Sequence, residues 1–325
     1  MVQVSIVIPA FERVEPLRMT IQSALKALSD IDGEVIVVDD GSIHPLESQL
    51  TEFQAKVRFE RQENQGSIIA RQTGLSAARG KYLQFLDSDD LLHPAKLSEQ
   101  LQVMKDDNLD ICYCDACSEN DNGQVRYRSV SDIAEFALRV QPLPHSPLYR
   151  TAYLLEAFRD PFLKPKRSYD AAGDVFLLYN LAPHAARIAH IPKTFAIVGD
   201  HQEMRYTQHW EKLGIASILL QQAFLEQCFA VNLASKYRIF LAESAYLSWR
   251  KLPRAIPKKF EDAQYKIFER ADVGQLKDVG GPVFRLIAFF LGNNAASKVL
   301  KWLRPHYQNI RTLPQEDLDI LLELL

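Results

Sequence analysis

The chain has 325 residues, 47% of them hydrophobic and 24% charged, with 13 Gly, 16 Pro and a formal net charge of −3. This composition excludes a disordered, collagenous or low-complexity chain, and the length suits two structural units or one large domain with an appendage. Four Cys are too few for a disulfide framework, the opening MVQVSIVIPAFER lacks the basic region of a signal peptide, and the longest apolar run, Val283 to Leu291, is interrupted by Arg285, so the expected address is cytoplasmic.

Val4 to Ile8 is a short β-branched run that reads as a strand, and the spacing of Leu17, Ile21, Ala24, Leu25 and Leu28 predicts a helix opening at Pro16. Glu34 to Val38 is a second buried-type strand, ending in Asp39-Asp40-Gly41-Ser42, with a helix from Pro45 and a shorter strand over Val57 to Glu60. Ser67 to Arg79 reads as a helix stopped by Gly80, and the strand Tyr82 to Leu86 runs into Asp87-Ser88-Asp89-Asp90. Pro94 opens another helix and Asp110 to Cys114 forms a further strand. Continuous apolar strands separated by helices predict an α/β fold, a mostly parallel sheet covered on both faces.

The pattern loosens from Asp115 to Val198. Asp121-Asn122-Gly123 suits a hairpin tip, Leu148 to Phe158 and Val175 to Ala182 read as helices, and Ile188 to Ile191 and Thr194 to Val198 as short strands. Beyond His209 the pattern is helical, most clearly over Ile215 to Val231 and Lys236 to Leu252, punctuated by Pro253, Pro257, Gly280-Gly281-Pro282 and Pro305. The segment Lys236 to Arg311 holds fifteen Lys and Arg against six Asp and Glu, whereas Thr312 to Leu325 holds four acids and no base. A basic C-terminal segment on an acidic body suggests two surfaces with different partners.

Ligands of open α/β sheets bind outside the carboxyl ends of the strands. Asp39, Asp40, Asp87, Asp89 and Asp90 would converge there, and packed together they call for a hard divalent cation, Mg²⁺ typically taking one or two carboxylates plus water and phosphate oxygens. If the backbone stays extended, alternation points Asp87 and Asp89 the same way.

SIVIPAFER, EVIVVDDGS, the run from Asn64-Gln65-Gly66 through Ala70-Arg71, and ARGKYLQFLDSDD from Ala78 resemble, in order and spacing, family 2 glycosyltransferases with the Rossmann-like GT-A fold. The resemblance covers about the first 115 residues and, more loosely, reaches about residue 205. It implies a catalytic domain over 1–205, divided into a nucleotide-sugar half (1–115) and an acceptor half (116–205), followed by a helical region (206–325). It further implies a metal-dependent, inverting enzyme that moves a sugar from a nucleoside diphosphate sugar to an acceptor hydroxyl, in polysaccharide or glycolipid synthesis, with Mn²⁺ or Mg²⁺ as cofactor. By the same resemblance Pro9, Ala10, Phe11 and Glu12 approach the base, Asp39 and Asp40 the base or ribose, and Arg71 the nucleotide. Asp87, Ser88 and Asp89 match the DxD motif, with Asp87 toward the ribose and Asp89 on the metal. Asp174, in AAGDVFLL, matches the general base, with Asp170 in reserve, and His201 matches a late metal or phosphate ligand. Glu12 and Gln72 stand where relatives often have Asn, and Glu12 suits either a bond to a base amino group or a solvent-facing position. For Asp174 the competing reading is a helix N-cap.

Cys112, Cys114 and Cys117 have the wrong spacing for a zinc site, and the first two share a strand face, as core cysteines do. His145 falls in the acceptor region as a weaker candidate, and the resemblance places Asp115, just after this strand, toward the donor sugar. In the basic segment Phe284, Ile287, Phe289, Phe290, Leu291, Leu300, Trp302 and Leu303 are interleaved with Arg285, Lys298, Lys301 and Arg304. Two readings stay open: peripheral docking on the inner face of a membrane or on a lipid-linked acceptor, or a helical core or homo-oligomer contact, with the second ahead. A carbohydrate or lipid-linked acceptor fits both, and no nucleic-acid module is present. The rival functions are a sugar nucleotidyltransferase, disfavoured because the first loop lacks its Gly-rich signature, and a non-catalytic sugar-nucleotide-binding or assembly protein of the same fold.

Overall fold

The computed structural model describes residues 2–120, 123–200, 209–271 and 281–325. Its contacts divide the chain into two compact units, Met1–Glu203 and Met204–Leu325.

In the first unit, β1 (Val4–Ala10) is followed by α1 (Val14–Ala27), β2 (Gly33–Asp39), the single turn α2 (Leu46–Gln49), β3 (Val57–Arg61), α3 (Ser67–Ala77) and β4 (Tyr82–Phe85). The parallel order β3-β2-β1-β4 arises because the chain winds outward from β1 and then returns to its other side. The winding direction thus reverses between β1 and β4, opening a crevice at their carboxyl ends. Every residue of β1 is buried, and β2 is buried from Val35 onward, because helices cover both faces. Leu17 and Ile21 of α1 join Ile6, Ile8, Val35 and Val37 in the main core, while α3 lies against the opposite face of β1 and β2.

The remaining elements are β5 (Leu91–Leu92), α4 (Lys96–Asp106), β6 (Ile111–Ser118), β7 (Gln124–Val125), the short turn α5 (Ile133–Glu135), β8 (Leu148–Arg150), α6 (Thr151–Arg159), α7 (Gly173–Leu181) and β9 (Ile188–Val198). The sheet continues from β4 through β8, β6 and β9 to β5; β6 and β9 are parallel, whereas β8, β5 and β7 pair antiparallel.

Three local expectations change. Leu148 to Phe158 is not one helix: its first three residues fill the gap between β4 and β6, where backbone pairing on both sides outweighs the helical pattern. Ile188 to Val198 is one strand, because Pro192 and Lys193 are accommodated by register shifts around Asp115. Gly80 is not a helix cap, since α3 ends at Ala77. A Cβ at Gly80 would lie 2.4 Å from the Ser5 backbone nitrogen, so the glycine permits close approach to β1. Asp121 and Asn122 of the expected hairpin tip lie outside the described residues. Cys112 and Cys114 are core residues of β6, and burial pushes the Cys112 thiol up to about 12.

The second unit contains α8 (Trp210–Ala230), α9 (Ser235–Lys251), α10 (Lys258–Arg270), α11 (Pro282–Leu291), α12 (Asn293–Lys301) and α13 (Gln315–Glu323). Among the described residues α8 alone is long and apolar enough to cross a membrane. It buries Ile215, Ile218, Leu220 and Phe224, and α9, α10 and α13 pack on it as on a core helix.

Candidate active site

After β1 the chain turns through Glu12 and Arg13, both left-handed, with φ of 54° and 60°. Such a backbone costs a residue with a Cβ roughly 1–2 kcal/mol, so the turn must be held from outside. The β2 loop holds it: Glu12 N–H donates to Ser42 Oγ and Ile43 N–H donates to Glu12 Oε1, each at 2.8 Å. Glu12 therefore ties two loops together, a role that neither sequence reading gave it. Pro9 and Ala10 are buried at the end of β1, and Phe11 is left 45% exposed above them.

Asp39 and Asp40 are buried and organise the same rim. Asp39 accepts from Ser42 N–H (2.9 Å), Leu46 N–H (3.1 Å) and Arg61 Nη1 (2.5 Å). Asp40 accepts from Gln62 Nε2 (2.8 Å), Gln65 N–H (2.9 Å) and Gly66 N–H (2.8 Å). Gly66 has φ of +95°, and a Cβ there would fall 1.7 Å from Asp170 Oδ2, so only glycine fits.

The segment after β4 is a turn rather than an extended run, because Asp90 N–H donates to Asp87 O at 3.1 Å. The expected alternation of Asp87 and Asp89 is therefore lost, and each acid meets its own arginine. Asp87 Oδ1 accepts from Arg71 Nη2 at 2.6 Å, and Asp89 Oδ2 from Arg13 Nη1 at 3.1 Å. Ser88, half-buried, sits at the corner of the turn. Asp90 has partners of its own: it accepts from Gly199 N–H at 3.2 Å and lies 3.0 Å from buried His145 Nδ1. The five carboxylates thus do not form one cluster. Asp39, Asp40 and Asp90 bind protein groups, and Asp87 and Asp89 flank the crevice. Burial, then the charges of Asp90 and Asp87, push the Asp89 carboxyl above its usual range, with Arg13 opposing them.

Arg71, on α3, is the centre of the site and is 8% exposed. Burial alone would lower its pKa, but the carboxylates of Asp87, Asp174 and Asp170 outweigh it, and the net shift is upward. Asp174 lies in the first turn of α7 and acts on this guanidinium through its charge. Ala172 occupies the N-cap position, so Asp174 is not the cap; its Oδ1 accepts from Val175 N–H at 2.9 Å inside the helix. Burial, and secondarily the charge of Asp87, raise the Asp174 carboxyl, while Arg71 and the Val175 N–H pull it down. Asp170 instead pairs with Arg167 at 3.0 Å and accepts from Ile68 N–H at 3.4 Å, closing the start of α3. His201 lies outside the described residues.

Several residues here were not singled out from the sequence. Arg13 is one, since its partner Asp89 is 76 positions away and no short motif links them. Asp115 is engaged with His190 Nε2 at 2.9 Å, and His190 Nδ1 with Ser129 Oγ at 2.8 Å, which fixes the segment after β7. Beside it a cavity of about 300 Å³ is lined by Arg126, Tyr127, Arg128, Glu135, Arg139 and Val140. Three arginines near one glutamate, spaced 126, 128 and 139, were the available signal.

Comparison with known proteins places the chain in a family and a fold. The family model described as glycosyl transferase family 2 matches residues 5–169, just over half of the chain. A glycosyltransferase of Rickettsia bellii (strain RML369-C) is 37% identical over 109 residues, 33% of this chain and 16% of that protein. The poly(ribitol-phosphate) beta-N-acetylglucosaminyltransferase TarP of Staphylococcus aureus (strain N315) is 35% identical over 116 residues, 34% of this chain and 36% of that protein. These matches therefore span about a third or less of the relatives' own length. The crystal structure of S. aureus TarS 1-349 superposes with a TM-score of 0.54 at 16% identity, over 84% of this chain and 92% of that one. Its complex with UDP-GlcNAc gives the same TM-score at 15% identity and the same coverage. The likeness shows a GT-A type fold. Because the family match runs from β1 through the Asp87–Asp90 turn to the residues preceding α7, the chain belongs to glycosyl transferase family 2.

Proposed function

We propose that this chain transfers a sugar from a nucleoside diphosphate sugar to an acceptor hydroxyl with inversion of the anomeric centre. The observation that carries the reading is the Arg71 guanidinium, which bonds to Asp87 of the β4 turn and is coupled by charge to Asp174 of α7. One cation thereby links the donor side and the acceptor side of a single crevice. The likeness to TarP, an N-acetylglucosaminyltransferase, and to the TarS complex with UDP-GlcNAc supports a sugar-nucleotide donor of the uridine type.

In this reading Phe11 offers an exposed ring to the base, the rim built by Glu12, Asp39 and Asp40 borders the nucleoside, and Arg71 with Asp87 lies along the ribose and diphosphate. Asp174 takes the proton of the acceptor hydroxyl as its oxygen bonds to the anomeric carbon and the bond to the diphosphate breaks. A carboxylate raised by burial is a stronger base than one in water, which suits that task.

The residues present also fit a divalent cation. No cluster of three His, Cys, Asp or Glu able to hold a metal occurs among the described residues. Mg²⁺ needs only one or two carboxylates when phosphate supplies other oxygens. Asp89 bears excess negative potential from Asp90 and Asp87, and it and Asp87 would hold the ion. When bound, the ion supplies Lewis-acid stabilisation of the departing diphosphate.

The deciding experiment measures nucleoside diphosphate release from a panel of sugar nucleotides with Mn²⁺ or Mg²⁺, and again after chelation. Turnover of one donor that chelation abolishes and either metal restores is the expected result. A panel with no turnover in any metal, despite nucleotide binding, would favour a non-catalytic sugar-nucleotide-binding protein.

A further inference from the structure

The pair α11–α12 is fixed to its own unit by one face only. Phe284 is buried with the Arg250 guanidinium 3.4 Å from its ring centre, and Ser297 Oγ lies 3.1 Å from the Tyr246 hydroxyl of α9. The other face is apolar and exposed. Phe289 and Phe290 are 81% and 74% exposed, Trp302 and Leu303, just after α12, are 75% and 80% exposed, and Leu286 and Val299 extend the patch. Of the eight apolar residues noted in the sequence, only Phe284 is fully buried, so the core reading of this set fails for most of it. An exposed cluster of large apolar residues marks an interaction surface.

Charge identifies the occupant. From residue 281 to 315 the sequence has five Lys and Arg and no Asp or Glu. Arg285, Lys298 and Arg304 are exposed around the patch, whereas Lys301 is paired with Glu261. Phe, Leu and Trp bordered by bases with no acid is the composition of a helix lying in a membrane interface, where apolar burial and attraction to anionic headgroups add. A second copy of the same face fits poorly, because a symmetric contact would bring Arg285, Lys298 and Arg304 of each copy toward one another, and residues 281–315 supply no acid to pair with them.

We propose that the exposed faces of α11 and α12 seat this chain on an anionic lipid surface, with Phe289, Phe290, Trp302 and Leu303 entering the headgroup boundary and the surrounding bases contacting lipid phosphates. This does not depend on the glycosyl-transfer reading.

The test is co-sedimentation of the full chain with vesicles of phosphatidylcholine alone or mixed with phosphatidylglycerol, at low and high salt. Retention on the mixed vesicles at low salt, and little on the neutral ones, is expected. Phe289→Ser with Phe290→Ser should lower the apparent affinity at least about tenfold, since both rings are solvent-exposed and their loss removes interfacial burial. The pair should melt like the parent, which separates lost binding from lost folding. Of the three tryptophans only Trp302 lies in the patch, so anionic vesicles should shift the emission to the blue in the parent and not in Trp302→Phe. The proposal is overturned if anionic vesicles fail to retain the parent at low salt, or if the double variant is retained as well as the parent. It is equally overturned if equilibrium sedimentation without lipid shows self-association that the double variant abolishes, which would make a second copy the occupant.

Discussion

Replacing Arg71 with methionine would keep much of the side-chain volume and remove the cation that bonds to Asp87 and is coupled by charge to Asp174 and Asp170. Breaking a buried ion pair by removing one partner typically costs about 3–5 kcal/mol. The Asp87 side chain is 29% exposed, so solvent screens part of the loss and the lower end, about 3 kcal/mol, applies. For a unit of this size that corresponds to a drop of roughly 6–12 °C in melting temperature. The loss should depend on pH with a definite sign. Without Arg71 the carboxyls of Asp174 and Asp170, already raised by burial, lose a charge that holds them down and rise further, so the folded state holds protons that the unfolded chain releases. A group raised in this way favours folding below its unfolded pKa and loses that contribution as pH rises through its folded pKa. The penalty of Arg71→Met should therefore be largest at pH 8 and shrink toward pH 5. Thermal melts of parent and variant across that range provide the assay, and Arg71→Lys should recover part of the loss. A penalty that is flat with pH, or below about 1 kcal/mol, would show that this arginine does not hold the three acids.

Asp174→Asn should lower the transfer rate by roughly 10²–10⁴-fold while nucleoside diphosphate affinity, read by calorimetry, stays at the parent value. Asp89→Asn should abolish metal-stimulated nucleotide binding. It should also raise the melting temperature at pH 8, because burial and the charges of Asp90 and Asp87 disfavour the ionised Asp89 that the substitution removes; a lower melting temperature would contradict that balance. Phe11→Ala should weaken nucleotide binding by about 1–3 kcal/mol, the usual worth of an aromatic ring stacked on a base, with no change in melting temperature, since the ring is exposed.

The parallel part of the fold was legible because local pattern and tertiary burial agree there. The runs at Val4–Ile8 and Glu34–Val38 are apolar throughout, as strands covered on both faces must be. β8 was not legible, because three residues between β4 and β6 become a strand only through partners far away in sequence. The single strand β9 was hidden by Pro192, which local rules read as a break and the parallel pairing with β6 absorbs. The acids of the site were visible as a pattern at strand ends, yet their partners were not. Arg13 meets Asp89 only because β1 and β4 are neighbours, and Arg71 meets Asp87 because α3 packs on β1, the strand next to β4. Sequence spacing gives the order of charged residues along the rim, whereas topology decides which charges face one another.

The balance around Asp174 explains how one arginine can serve both halves of the proposed reaction. A carboxylate must be ionised to accept a proton, yet it gains basicity only where water is excluded. Burial raises the Asp174 carboxyl and would, acting alone, drive it toward the protonated form. The charge of Arg71 opposes that shift, while the same guanidinium is hydrogen-bonded to Asp87. A diphosphate arriving beside Asp87 would draw on that positive charge and weaken its hold on Asp174, so donor binding itself would make the base stronger. The consequence is measurable: in the proposed enzyme the acid limb of kcat should lie at higher pH than the acid limb of kcat/KM for the acceptor measured without saturating donor, and Arg71→Lys, which keeps charge but loses the forked contact, should narrow the gap. Coincident limbs in the parent would show that Arg71 does not carry charge between donor and base.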